Sequence, residues 1–262
     1  MPSETVPGRH RPPLVIDAHV HIGPFRNFHI PDNGIEGVVA AMDSLGVDVS
    51  VMSAHASISA DYTIGNDIVI DAATRFPSRI LGYCAVNPNY ADSMADELER
   101  CFEHTAFRGI KLHPELHGNH ALDSRQYSAV WEFASRRRLP VLSHSFFAGD
   151  GLDVFARIAE NYPDVQVILG HAGQDFGIDR VIELAAGHEN IWLDLCGPLS
   201  LDGAVEKLAH ALGPDRILFG SDLPFCDGAL QLGTLLYSRL DPSQVEAIAG
   251  KNALGLFGEA AA

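Results

Sequence analysis

A chain of 262 residues with 47% hydrophobic and 20% charged side chains has the make-up of an ordinary globular protein, with enough apolar residues for one large core or two small ones. Its net charge of −16 argues against nucleic acid or an anionic membrane as partner, and no apolar run approaches the roughly 20 residues that span a bilayer. Cys84, Cys101, Cys196 and Cys226 form no C-x-x-C pair, which excludes a zinc knuckle or a thioredoxin-like site and fits reduced thiols in a cytoplasmic protein. A small-molecule substrate is the partner that remains, and a homo-oligomer is compatible with the composition.

Residues 1–13 are polar and proline-rich, lack the apolar segment of a secretory signal, and read as a flexible lead-in. The remainder, 14–262, carries no composition break and reads as one domain. The first strand is read at 14–22, with Leu14, Ile16, Ala18, Val20 and Ile22 on one face and Val15, Asp17, His19 and His21 on the other. Imidazoles two positions apart on a strand point the same way and can share a metal ion, zinc or one of its neighbours. Further strands are read at 47–54, 80–88, 107–114, 140–145, 166–173, 191–197 and 217–225. Helices are read between them, among others at 35–45, 91–104, 124–138, 152–161, 179–187 and 202–212, with a last one at 242–257. Gly46, Gly187 and Gly213 suit helix ends, and Asp241 followed by Pro242 suits a helix start. Eight strand–helix units in about 250 residues fit a TIM (β/α)8 barrel, with a doubly wound open sheet as the alternative.

Barrel sites form at the C-terminal ends of the strands. There the sequence places His19 and His21, then Lys111 and His113, then His144, then His171, and finally Asp222. His10, His29, His55, His104, His117, His120, His188 and His210 read as loop or helix residues, with His117 and His120 placed where a loop reaches the substrate. Cys84 and Cys101 read as core, whereas Cys196 and Cys226 follow strands near the site.

Asp17-Ala18-His19-Val20-His21, Lys111-Leu112-His113-Pro114, His144, Gly170-His171-Ala172-Gly173, Gly220-Ser221-Asp222 and Asn252-Ala253-Leu254-Gly255-Leu256-Phe257 together resemble the amidohydrolase superfamily. The likeness is to its amidohydrolase-related (amidohydrolase 2) branch, with aminocarboxymuconate-semialdehyde decarboxylase-like enzymes and dicarboxylate lactonases. The resemblance implies His19, His21, His144 and Asp222 as metal ligands, with Asp222 also hydrogen-bonding the bound water and His171 as the acid/base. It implies one Zn2+, with Mn2+ or a second metal as alternatives, the second bridged by a carboxylated Lys111. A cationic Lys111 would instead bind a substrate carboxylate, joined by His113. Asp17 either orients an imidazole or is a buried structural carboxylate.

Metal-activated water acting on a lactone, ester or amide of a small carboxylated or aromatic substrate is the expected reaction. The alternative is non-oxidative decarboxylation of an aromatic or unsaturated acid, and a non-catalytic metal barrel is a third reading. On the substrate side, Arg26 is the candidate anion anchor. Phe25, Phe28, Phe146, Phe147, Phe176 and Phe225 are candidates to line the pocket.

Overall fold

The structure, a computed structural model, describes residues 11–145, 151–197 and 202–260. All eight expected strands form: β1 (Ile16–Ile22), β2 (Val49–Ala54), β3 (Ile80–Ala85), β4 (Phe107–Leu112), β5 (Pro140–Ser143), β6 (Gln166–Leu169), β7 (Ile191–Asp194) and β8 (Ile217–Leu218). They pair in parallel in chain order. The ring closes between β1 and the chain beyond β8, where Ala18 N donates to Phe219 O (2.9 Å), Asp222 N to His19 O (2.8 Å) and His21 N to Leu223 O (2.6 Å). That seam makes the sheet a TIM barrel and excludes the open doubly wound arrangement.

Around it run α1 (Ile35–Leu45), α2 (His55–Ser59), α3 (Tyr62–Arg75), α4 (Ala91–Cys101), α5 (Ser128–Arg137), α6 (Asp153–Asn161), α7 (Ile178–Gly187), α8 (Ala204–Leu212), α9 (Gly228–Leu236), α10 (Pro242–Glu246) and α11 (Asn252–Phe257). The last helix of the sequence reading is thus two helices joined by a π turn, Ala247–Lys251. No helix among the described residues is long and apolar enough to cross a membrane.

Two apolar layers result. Ile16, Ala18, Val51, Leu81, Tyr83, Leu142, Ile168 and Leu218 fill the ring, joined by Ala253 and Phe257 of α11. Val20 and Ile22 pack instead in the layer between strands and helices. Simple alternation along β1 therefore fails. The pairing with β2 slips between Asp17 and Val20, and an irregularity there moves the following side chains to the other face.

β5, β6 and β8 stop earlier than expected. Just past the last two, His171 (φ 61°), Ala172 (φ 49°) and Asp222 (φ 63°) are left-handed, a conformation no strand accommodates. Gly220 lies in the same stretch. A Cβ there would stand 2.0 Å from Asp194 Oδ1 and 2.9 Å from His19 Cβ, so only glycine fits.

Asn66 of α3 joins three elements. Its Nδ2 donates to Ala85 O (2.9 Å) and Glu97 Oε1 (2.8 Å), and its Oδ1 accepts from Ala85 N (3.0 Å), with no exposure to solvent. Asn66→Ala leaves a buried N–H and a carboxylate short of partners, and should lower the unfolding free energy by about 2–3 kcal/mol. Urea denaturation checks this; a loss under about 1 kcal/mol would contradict it.

Candidate metal centre

His19 and His21 leave β1 side by side and meet Asp222 arriving from beyond β8. Ligand atoms of the three lie within 4.8 Å of one another, all buried. His21 Nε2 stands 3.2 Å and His19 Nε2 4.0 Å from Asp222 Oδ1. Donors around a tetrahedral ion with bonds near 2.0–2.1 Å are about 3.3 Å apart, so the observed spacings bracket a divalent cation.

Other residues fix which nitrogens converge. His19 Nδ1 donates to Asp194 Oδ2 at 2.5 Å, leaving Nε2 as the lone-pair nitrogen. His21 Nδ1 meets Ser53 Oγ at 3.1 Å and Ser53 O at 3.3 Å, which likewise turns Nε2 to the centre. Burial raises the Asp222 carboxyl, but the His21 hydrogen bond and the neighbouring imidazoles outweigh it and hold the group well below the usual carboxylate range. Burial and then Lys111 keep His19 well below the imidazole range, so it is a neutral ligand.

Lys111 is buried beneath His19, with Nζ 2.8 Å from His19 Nε2, rather than on the cavity wall. Burial lowers its pKa to about 8 against the pull of Asp222. Asp17 touches main chain: Oδ1 accepts from His19 N (3.2 Å) and Ser221 N (3.0 Å). Of its two expected readings this is the structural one, and burial pushes its carboxyl up to about 7.

His144 and His171 stand in the adjoining wall. His171 Nδ1 contacts Cys196 Sγ at 3.3 Å, and its Nε2 lies 3.1 Å from His144 Nδ1. His144 stacks on His113, with ring centroids 4.0 Å apart, and its Nε2 faces Glu115 Oε2 at 3.4 Å. The structure thus gathers three of the four expected ligands tightly, and sets the imidazole of His144 with His113 and Glu115 in a neighbouring group. Nearly parallel rings direct their in-plane lone pairs along nearly parallel lines, which suits a stacked wall better than a shared ion.

A cavity of about 360 Å³ opens over this floor. Phe25, Phe28, Phe225, Ile58 and Leu116 give it apolar sides, and Asn27, Glu115, His55, His113, His144 and His171 its polar ones. Phe176 packs on the core instead, and Phe146 and Phe147 lie outside the described residues. Arg26 is exposed and outside the lining, and His120 bonds Asn89 (3.0 Å). His117 is buried away from the cavity. Cys84 and Cys101 are core residues, while Cys226 Sγ lies 3.7 Å from Asp222 Oδ2.

Two functional positions escaped the sequence reading. Asp194 ends β7 within Leu193-Asp194-Leu195, and a lone carboxylate at a strand end between leucines was the available signal. His55 follows β2 directly, as His113 follows β4 and His144 follows β5, and is buried rather than a surface residue. It stacks between His21 (4.8 Å) and Phe25 (5.0 Å), with Nδ1 on Gly23 O (2.8 Å).

The family profile described as Amidohydrolase matches residues 16–258. The gamma-resorcylate decarboxylase of Polaromonas sp. (strain JS666 / ATCC BAA-500) is 22% identical over 245 residues, covering 74% of this chain and 74% of its own. The 2-amino-3-carboxymuconate-6-semialdehyde decarboxylase of Dictyostelium discoideum is 22% identical over 235 residues, covering 74% of this chain and 65% of its own. The crystal structure of a dihydroxybenzoic acid decarboxylase from Polaromonas sp. JS666, with bound manganese and the inhibitor 2-nitroresorcinol, superposes with a TM-score of 0.71 at 19% identity. It covers 93% of this chain and 96% of that one.

Asp194→Asn removes the group that sets the His19 tautomer. Divalent-metal affinity should fall about 10–100-fold, read by competition titration against a chelating dye; unchanged affinity would deny Asp194 this part.

Proposed function

The chain belongs to the amidohydrolase family of enzymes, and from that premise we propose that it is a metal-dependent, non-oxidative carboxy-lyase acting on a small aromatic or unsaturated acid. The observation that carries this reading is the aromatic-sided cavity set directly over the His19, His21 and Asp222 group. The decarboxylase names of both quoted relatives support it. They favour carbon–carbon cleavage over the hydrolysis that the sequence alone put first.

His19, His21 and Asp222 would hold the cation, with His144 reaching the same cavity from the end of β5. A bound divalent cation supplies Lewis acidity that holds and polarises the oxygens of an acid group. The manganese in the similar decarboxylase supports Mn2+ alongside the Zn2+ expected from the sequence. Phe25, Phe28 and Phe225 hold a flat ring by stacking and exclude water around it. As the carbon–carbon bond breaks, CO2 departs and the bonding electrons stay on the ring carbon. His171 relays a proton from solvent to that carbon. Burial, then His19, hold His171 well below the usual imidazole range, so a proton placed on it is passed on readily.

Dialysis against a chelator should abolish CO2 release while circular dichroism stays unchanged, and Mn2+ or Zn2+ should restore it. His171→Asn should lower kcat by about 10²–10⁴-fold. Mass spectrometry decides the reaction: a product heavier by one water, with no CO2, would replace this reading with hydrolysis.

A further inference from the structure

We propose that this pocket selects an acid with a single carboxylate and a hydrogen-bond donor, a hydroxyl or an amine, on the far edge of its ring, and that Glu115 enforces the choice. The inference rests on the acid-binding reading above and deepens it by naming the charge class of the substrate.

An anion taken out of water needs a cation or several donors. The metal floor can meet one carboxylate. A second would have to find its partner on the walls, and no lysine or arginine lines the cavity among the described residues. Lys111 is buried at 1% exposure and is not among the lining side chains, and Arg26 is exposed outside the lining.

The walls instead offer acceptors. Glu115 puts a carboxylate on the lining, with its side chain 41% exposed and Oε2 3.4 Å from His144 Nε2. A glutamate side chain is ionised at neutral pH, so this group carries a negative charge. His55 gives its Nδ1 hydrogen to Gly23 O, which leaves Nε2 as a lone-pair acceptor on a second side of the cavity. A substrate hydroxyl or amine complements these groups. A second carboxylate meets Glu115 as a like charge, and specificity built on such repulsion is ordinary in binding sites.

The test uses the metal-loaded protein and calorimetric titration with three ring acids: benzoate, 3-hydroxybenzoate and 5-hydroxyisophthalate. The last is the second with one more carboxylate. 3-Hydroxybenzoate should bind about ten-fold more tightly than 5-hydroxyisophthalate, and more tightly than benzoate. Glu115→Gln should bring the two hydroxy acids within about three-fold, and Glu115→Lys should reverse their order. Glu115 is on the surface of the pocket, so both variants should fold, as thermal melts will verify. Equal or tighter binding of the diacid, an unchanged ratio in Glu115→Gln, or binding of neither hydroxy acid would overturn the proposal. Binding is independent of turnover. A retained preference without CO2 release would refute the carboxy-lyase reading alone, whereas CO2 release with a preference for diacids would refute only the selection by Glu115.

Discussion

The barrel closes at a single seam, and the site exists only because it does. Asp17 and Ser221 are 204 positions apart, yet the Asp17 carboxylate accepts from Ser221 N. The next residue, Asp222, gives its own N–H to His19 O. These bonds hold the two ends of the domain in one register, and that register sets Asp222 Oδ1 against the Nε2 atoms of β1. Asp222 is there at φ 63°, which costs a non-glycine residue on the order of 1 kcal/mol or more. The cost is tolerated because the seam fixes the residue on both sides. Left-handed backbone at His171 and Ala172 marks the second place where the chain leaves the sheet to present a reactive side chain.

Electrostatics at the floor point the same way. Asp194 and Asp222 are buried carboxylates, and Lys111 is the buried ammonium among them. Two negative charges against one positive leave the cluster with one uncompensated negative charge, in surroundings where such charge is expensive. A divalent cation among His19, His21 and Asp222 offsets that surplus. The same logic explains why Asp194 faces the far side of His19 rather than the ion: there it fixes a tautomer while its charge still reaches the centre. Burial raises Asp194 to about 6, so at neutral pH it remains an acceptor for His19.

Much of this was legible before any coordinates. Strand alternation and strand-end histidines located every strand and most of the residues now seen around the cavity. What stayed hidden has physical causes. The inward face of α3 carries Gly65, Asn66, Val69, Ala72 and Ala73, mostly small or polar, so its apolar period is faint. The slip in β1 is a backbone event that no alternation pattern announces. Asp194 was missed because a search for imidazoles passes over the carboxylate that orients one. The overlong strands 6 and 8 reflect apolar residues such as Ala172 and Leu223, which are buried outside the strands as well as inside them. Side-chain direction was the other limit. Lys111 shares a strand face with the site, but length and burial carry its ammonium under His19, and spacing alone does not distinguish beneath from beside.

The shape of the cavity follows from its stacked rings. His21, a ligand candidate, stacks at 27° on His55, and His55 at 28° on Phe25, which continues to Phe28 at 24°. This column runs from the floor to the rim, with Phe225 set edge-on against Phe25 at 82°. Rings so aligned present a flat wall, and a flat wall favours a planar ligand over a branched one. Opposite the column, His144 and His113 stack on each other at 13° and Glu115 faces His144. One side of the space is therefore a flat stack of rings that includes His55, and the other carries the carboxylate of Glu115. A planar acid lying along the column, with its carboxylate down at the floor, has its far edge facing that second wall. On the proposed reading, two independent features would set the orientation: the stack, which favours planarity, and the charge pattern, which favours one edge at the floor.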